Sequence, residues 1–223
     1  FYQQKDAALL NLERGMMAYF AGLNQKSIDY FLKAEARMDE LVTRSASRAA
    51  ASVVGNDNQL DYDGDDHEQL YVNAFTSLNF VKLGQVESAT IEIRKMTFKL
   101  DELTRRYGNP LEPIEGLKYA NTINWDDPAL KERLGKPKAQ IRNSAWSRYL
   151  ATILYAKNNQ PDDSRIEAEL LPDAFAVQQN LAWGDFPTAE DLPRLQEAGA
   201  YNVLLVAYAG QSPQKYAVEY RDF

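Results

Sequence analysis

Apolar residues recur every three or four positions along most of the chain, and this period predicts amphipathic helices. The first such pattern includes Leu12 and Tyr19 and stops near Gly22, a residue type that can end a helix in the left-handed conformation. Ser27 is suited to cap the next helix, whose pattern continues through an alanine-rich stretch to Val54. The sequence therefore predicts two helices joined by a short turn, followed by a polar, acidic break.

Two further helices are predicted after the acidic break. Asp65 or Asp66 can cap a third helix over residues 68–83, which Gly84 ends. The fourth helix starts soon after Gly84 and closes near Tyr107. The stretch from about residue 109 to 141 is rich in proline, glycine and turn residues, so we expect an ordered insertion with short helices there.

The last predicted helix pair surrounds Asn159. A fifth helix covers about residues 142–157 and carries Trp146 and Tyr149. Pro161 is placed at the first turn of a sixth helix, where the N–H that it lacks has no partner in any case, and Pro172 is expected to end that helix. Residues 173–183 then favour another short helix.

The hydrophobic period changes towards the C-terminus. Residues 201–208 are rich in β-branched and aromatic side chains, residues 210–213 are typical of a turn, and residues 215–220 alternate. We therefore predict a mostly α-helical fold, with a helical repeat domain over residues 1–200, its insertion at about 109–141, and a β-hairpin over residues 201–223. Since two strands alone are marginally stable, the hairpin is expected to pack on the helices, pair with another chain or begin a longer β segment.

The three predicted helix pairs share one spacing of small, turn and seam residues. A small residue in the first helix is followed, at intervals of seven, five, four and three, by a turn residue, a second small residue and two seam positions. Small side chains let the paired helices approach closely. The matching sets are Gly15, Gly22, Ser27, Phe31 and Ala34; Ser77, Gly84, Ala89, Ile93 and Met96; and Thr152, Asn159, Ser164, Ala168 and Leu171.

This spacing resembles the tetratricopeptide repeat, a helix-turn-helix unit that stacks into a solenoid with a concave face. Gly15, Gly22, Phe31 and Ala34 match its pattern in the first pair, and Gly84 matches it in the second. The three turn residues lie 62 and 75 residues apart, whereas a tandem array steps by about 34. The resemblance therefore implies a tetratricopeptide-like bundle with extended helices and insertions.

A wider resemblance covers most of the chain. The order of several short motifs is similar to that of an uncharacterised family of bacterial envelope proteins and lipoproteins with helical repeats. These motifs are Leu12-Glu13-Arg14-Gly15, His67-Glu68, Glu92-Ile93-Arg94, Asp162-Asp163-Ser164 and Gly210-Gln211-Ser212-Pro213. The resemblance implies a periplasmic or outer-membrane location, with membrane attachment through a lipid-bearing cysteine upstream of Phe1. It implies no particular activity.

Composition removes several classes of function. The formal net charge of −7 argues against nucleic-acid binding, because no basic field offsets the charge of the phosphates. The chain has no cysteine, which excludes catalytic thiols, disulfides and cysteine-ligated metals. No apolar run approaches the roughly 20 residues of a membrane-spanning helix. We predict no cofactor and no metal.

The acidic stretch over residues 57–68 resembles a calcium-binding loop in length and charge. Asp57 and Glu68 occupy the first and last positions of a twelve-residue loop, but Gln59 stands at a ligand position and Tyr62 stands where that loop needs glycine. A solvated acidic loop with a helix cap is therefore favoured. His67 is the only histidine, so a histidine-based metal site lacks partners.

Paired carboxylates give the one enzymatic alternative. Glu167 and Glu169 are two residues apart on a predicted helix, so they point to different faces and do not form a natural acid–base couple. An envelope protein that binds a small molecule or a glycan, or a carboxylate-based hydrolase, would need a deep pocket, for example near Trp125 and Trp183.

Aromatic side chains give the stronger functional lead, because tyrosine and tryptophan are enriched in binding surfaces. In a tetratricopeptide-like unit the first helix of each pair lines the concave face. We predict that this face binds another protein or a peptide, without catalysis. The residues expected to carry this binding are Tyr19, Tyr71, Lys82, Trp146, Tyr149 and Lys157. For each single ring, packing in the core between helices is the alternative, and the sequence leaves the partner and the oligomeric state open.

Overall fold

A computed structural model describes residues 2–48, 61–107, 143–177, 191–197 and 199. Within these ranges the chain is helical, with a short 3-10 helix at Gln4–Asp6 and no β-strand. The α-helices of this part are α1 (Ala7–Phe20), α2 (Asn24–Arg48), α3 (Asp66–Lys82), α4 (Val86–Tyr107), α5 (Ala145–Lys157), α6 (Pro161–Val177) and α7 (Asp191–Gln196). The predicted mostly α-helical class is confirmed for the residues that the structure describes.

Successive helices pack against each other in chain order. Helix α1 pairs with α2, α3 with α4 and α5 with α6, and three residues join the two helices of each pair. Helix α2 also packs against α3, and α4 packs against α5. The short α7 lies against α5 and α6. Each seam between hairpins is therefore formed by the second helix of one hairpin and the first helix of the next.

The three hairpin turns have the same backbone geometry. Gly22, Gly84 and Asn159 adopt positive φ values of 72°, 74° and 56°. In the first turn the N–H of Gly22 donates to the carbonyl of Tyr19 at 3.1 Å, and the next N–H, from Leu23, reaches one residue further back at 2.9 Å. Equivalent bonds close the other two turns. This is the Schellman arrangement, which glycine and asparagine favour because they tolerate the left-handed region, and the spacing predicted all three positions.

Each hairpin is also closed by one buried serine hydroxyl that bonds a backbone carbonyl across the pair. The same two positions of the shared spacing take part each time, although the donor lies on the other helix in the second hairpin. The bonds are Ser27 Oγ to Gly15 O at 2.8 Å, Ser77 Oγ to Ala89 O at 3.0 Å, and Ser164 Oγ to Thr152 O at 2.8 Å. Ser27 was predicted to cap α2, and this is wrong, because α2 begins earlier, at Asn24.

The core lies between the two helices of each hairpin and continues across the seams. Phe31 is 1% exposed, and its ring stacks on Phe75 of α3 with 6.2 Å between the ring centroids. Gly15 makes room for the same ring, since a Cβ atom added there would lie 2.5 Å from two ring carbons of Phe31. A small residue at this position is therefore required by the closeness of α1 and α2.

The end of the third hairpin differs from the prediction. Helix α6 continues through Pro172 to Val177, so Pro172 does not end it and residues 173–177 do not start a separate helix. A proline inside a helix costs about 3 kcal/mol. Burial on both sides of it offsets this cost, because Leu171 and Ala174 are fully buried in a small cluster with Phe175.

Several predicted features lie outside the described residues. They are the end of the second helix at Val54, the insertion at about 109–141 with Trp125, the stretch around Trp183, and the β-hairpin over residues 201–223.

Candidate partner-binding surface

Aromatic rings connect the first helices of the three hairpins. The ring of Tyr19 on α1 meets that of Phe75 on α3 edge-on, with 5.0 Å between centroids. Trp146 on α5 lies 5.8 Å from Phe75 and 5.5 Å from Tyr71, the latter at an interplanar angle of 88°. Three of the rings predicted to bind a partner therefore contact rings of neighbouring first helices.

These rings differ in how much of them solvent can reach. Tyr19 is only 7% exposed and belongs to the core. Tyr71 and Trp146 are half-buried and pack against the same core. Burial raises the pKa of Tyr71, although a hydrogen bond with Ser144 acts in the opposite direction. Tyr71 and Trp146 therefore expose only a part of their surface to solvent.

The two predicted lysines end α3 and α5, two residues before their turn residues. The Nζ atom of Lys82 lies 3.6 Å from the centroid of the Tyr19 ring, a cation–π contact, while the residue as a whole stays exposed. Lys157 is half-buried. Tyr149 is also half-buried and packs against the smaller cluster of Ala145, Leu171 and Ala174. The structure therefore links Tyr19, Lys82, Tyr71 and Trp146 through Phe75, whereas Tyr149 belongs to the smaller cluster.

A buried polar network fills the seam between the first and second hairpins. Glu35 of α2 accepts hydrogen bonds from Asn73 of α3 at 2.7 Å and from Lys99 of α4 at 2.8 Å. Asn73 also donates to Glu92 at 2.9 Å and accepts from Lys99 at 2.9 Å. Lys95 joins both carboxylates, at 2.9 Å to Glu92 and 3.3 Å to Glu35. Two carboxylates and two ammonium groups therefore neutralise each other around one amide.

The electrostatics of this network stabilise its charged form. Burial acts to raise the pKa of Glu35, but the Lys99 and Lys95 ammonium groups and the Asn73 amide outweigh it, so this pKa lies below its usual value. Burial likewise acts to lower the pKa of Lys95, and the Glu92 and Glu35 carboxylates raise it overall. Both shifts favour the charged forms of Glu35 and Lys95, as expected in a network of ion pairs.

The next seam repeats this arrangement with an arginine. Arg148, which occupies in α5 the position of Asn73 in α3, is 2% exposed. Its guanidinium donates to Glu167 of α6 at 2.8 Å and to Asp101 of α4 at 3.0 Å. Burial raises the pKa of Glu167, and although Arg148 opposes this, the nearby Asp101 and Asp163 carboxylates add to it. In both seams a polar side chain of the first helix joins the second helices on either side.

Asp61 and Asp65, in the acidic segment before α3, have structural partners. Asp61 pairs with Arg37 at 3.0 Å. Asp65 caps α3, and Glu68 accepts from the Asp65 N–H at 2.7 Å to complete a capping box. Within the described residues no group of three or more histidine or acidic side chains is placed to hold a metal ion. Residues 57–60 of the predicted calcium loop lie outside this part of the structure.

The role of the polar residues in the seams was not predicted from the sequence. No sequence signal marks Glu35, Lys95 and Lys99, because these are common residue types in helices. Asn73 alone stands out, since asparagine is unfavourable inside a helix. Asn73 and Arg148 occupy equivalent positions, four residues before the small residue of the repeat spacing. A polar residue at this position in both helices is the sequence feature that could have identified them.

Comparisons of the chain with protein-family models, with curated proteins and with solved structures gave no match. None of the helices in the described ranges combines the length and the apolar character that crossing a membrane requires.

Proposed function

We propose that this protein is a non-catalytic interaction scaffold built from tetratricopeptide-like helix hairpins, and that it binds another protein or a peptide of the bacterial cell envelope. The observation that carries the proposal is the identity of the three hairpin joints. Each has a positive-φ turn residue and a serine bond between equivalent positions. Stacked hairpins of this kind present extended surfaces rather than a single catalytic pocket.

The helix lengths support a repeat that departs from a regular array. Helices α2 and α4 have 25 and 22 residues, against 14 in α1. Longer second helices account for part of the extra sequence between the turn residues, compared with a tandem array. We propose a tetratricopeptide-like bundle for this reason.

Binding in this proposal uses the accessible parts of the first helices. The exposed parts of Tyr71, Trp146 and Tyr149 supply apolar area, and Lys82 and Lys157 supply cations at the C-terminal ends of the same helices. Aromatic and cationic side chains of this kind suit a peptide or a partner helix with carboxylates. The envelope location and a lipid attachment upstream of Phe1 belong to the same proposal, on the family resemblance alone.

Affinity capture from a bacterial envelope extract tests the proposal. The chain is immobilised, captured proteins are identified by mass spectrometry, and the capture is repeated with Tyr71→Ala plus Tyr149→Ala. Because Tyr71 packs against Trp146, circular dichroism must first show that the double variant keeps its helical content. A second variant, Lys82→Glu plus Lys157→Glu, changes charge at the end of the same helices with less effect on packing.

The control is Phe98→Ala, which removes a 64% exposed ring from α4, a second helix. We expect capture to fall strongly with both double variants and to stay unchanged with the control. Capture that is equal for the wild type and both double variants refutes the proposed binding face.

A further inference from the structure

The two polar seams of the stack use equivalent positions but carry different charges. The polar seam of α2, α3 and α4 is called the first seam, and that of α4, α5 and α6 the second seam. Glu92 of α4 and Glu167 of α6 each lie three residues after the second small residue of the shared spacing, and both are buried. Glu92 accepts a hydrogen bond from Asn73 at 2.9 Å. Glu167 accepts one from Arg148 at 2.8 Å.

The described groups of the first seam are matched in charge. Lys99 bonds Glu35 at 2.8 Å, and Lys95 bonds Glu92 at 2.9 Å and Glu35 at 3.3 Å. Asn73 is uncharged, so both cations come from α4. Two ammonium groups therefore balance two carboxylates.

The second seam lacks the equivalents of these lysines. The α6 positions that correspond to Lys95 and Lys99 of α4 hold a leucine, Leu170, and an alanine, residue 174. Among the described side chains that bond each other in this seam, Arg148 supplies the single cation. Its guanidinium is shared by two carboxylates, at 2.8 Å from Glu167 and 3.0 Å from Asp101.

A third carboxylate adds to this imbalance. Asp163 precedes Glu167 by four residues on α6, a spacing that makes the two neighbours on the helix surface. The equivalent position in α4 is the uncharged Ser88. The side chain of Asp101 is 63% exposed and Asp163 is half-buried, whereas the side chain of Glu167 is only 7% exposed. Because solvent screens a buried charge least, Glu167 is the carboxylate on which a proton relieves the most repulsion.

The groups that act on Glu167 come from all three helices of the seam. They are Arg148 and Tyr155 of α5, Asp101 of α4 and Asp163 of α6. Burial is the largest influence on the pKa of Glu167 and raises it, as do both neighbouring carboxylates, whereas Arg148 lowers it. Burial also raises the pKa of Tyr155, whose hydroxyl pairs with Thr97 at 3.3 Å, so this hydroxyl stays neutral in acid. On α7, which also packs against α6, Arg194 is exposed.

We propose that the second seam is a proton-binding joint, in which Glu167 takes up a proton from solvent in mild acid and thereby tightens the contact of the third hairpin with α4. The neutral carboxyl group still accepts from Arg148, and the guanidinium is left to balance Asp101. The first seam responds in the opposite direction, because protonation of Glu35 removes its pairing with the lysines. The inference concerns the joints of the stack, so it goes beyond the proposed function and does not depend on partner binding.

Carbon-13 NMR of the full chain, labelled at the glutamate side-chain carboxyl groups, detects this proton directly. The titration midpoint of Glu167 is compared with that of the glutamates in the same chain unfolded in urea. We expect the Glu167 midpoint to lie above the unfolded value and the Glu35 midpoint to lie below it. A Glu167 midpoint at or below the unfolded value, or a Glu35 midpoint at or above it, overturns the proposal.

Two substitutions that restore the charge balance test the cause. Leu170→Lys places in α6 the cation that Lys95 supplies in α4, and its half-buried position lets the new ammonium group reach solvent. Asp163→Asn removes the third carboxylate. Each should lower the Glu167 midpoint, and circular dichroism checks that each variant keeps its helical content. If neither lowers it, the proposal fails.

The matched control is Glu169→Gln on the exposed face of the same helix. It also removes one carboxylate from α6, but this carboxylate pairs with the exposed Arg165 at 2.7 Å. We expect the Glu167 midpoint to stay unchanged. A fall as large as that caused by Asp163→Asn would show that the overall charge of α6, and not the seam, sets the midpoint.

Urea unfolding between about pH 7 and about pH 3.5 measures the effect on the joints. A group with a raised pKa contributes stability that is fully present below the pKa of the unfolded chain and is lost as pH rises through the folded pKa; a depressed pKa has the reverse effect. As pH falls, the wild type should therefore gain stability relative to Glu167→Gln and lose it relative to Glu35→Gln. Changes of the same sign for both variants overturn the proposal.

Discussion

Replacement of Gly15 by alanine sets two effects of known size against each other. Alanine is favoured over glycine inside a helix by about 1 kcal/mol. The added Cβ would lie 2.5 Å from Cδ1 and Cε1 of Phe31, well inside the normal contact distance of about 3.5–4.0 Å. Overpacking a core costs roughly 1–3 kcal/mol, and a 1% exposed ring stacked on Phe75 has little room to move. We therefore expect Gly15→Ala to lower the free energy of unfolding by up to about 2 kcal/mol.

Urea denaturation followed by circular dichroism measures this effect in a double-mutant cycle. The second substitution is Phe31→Leu, which removes the ring atoms that the new Cβ would meet. In that background Gly15→Ala should be neutral or stabilising by up to about 1 kcal/mol, since only the helix preference remains. An equal loss in both backgrounds, or a gain in the wild type, would show that α1 and α2 do not meet at Gly15 as described.

Three further substitutions test the joints and the seam, each by the change in unfolding free energy. Gly84→Ala should cost about 1 kcal/mol through backbone strain alone, because φ is 74° and no atom lies near the added Cβ; no loss would contradict the Schellman turn. Ser27→Ala should cost about 1–3 kcal/mol, because Asn79 loses its acceptor as well; a change below about 0.5 kcal/mol would argue against both bonds. Glu35→Gln should cost about 1–3 kcal/mol at neutral pH. Since the pKa of folded Glu35 is depressed, this contribution is fully present above the pKa of the unfolded chain and is lost as pH falls through the folded pKa; a difference between the two proteins that does not shrink as pH falls below the pKa of the unfolded chain would refute the pairing with Lys99.

The joints of the fold were predictable because each depends on a residue type close in sequence. Glycine at residues 22 and 84 and asparagine at residue 159 are the types that tolerate positive φ, so spacing alone located the turns. The continuation of α6 through Pro172 was not predictable in this way. Local propensity ends a helix at proline, and burial of Leu171 and Ala174 against other helices overrides it.

The candidate surface was predictable only as a set of residues on the first helices. Tyr19 was expected to face a partner, and its 7% exposure follows from the contact with Phe75, which the sequence does not specify. The seam network was invisible for the same reason, because Glu35 and Lys99 are 64 residues apart and meet only once the hairpins stack.

The central claim is that the first helices bind the partner and the acidic segment before α3 does not. The chain has no cysteine, so Lys82→Cys, Lys157→Cys and Asp63→Cys each introduce a single thiol for a benzophenone cross-linker. Asp63 is an exposed residue of the acidic segment and serves as the matched control position. After irradiation with the captured partner, the account predicts cross-links from positions 82 and 157 and none from position 63. Cross-links from position 63 alone would contradict it.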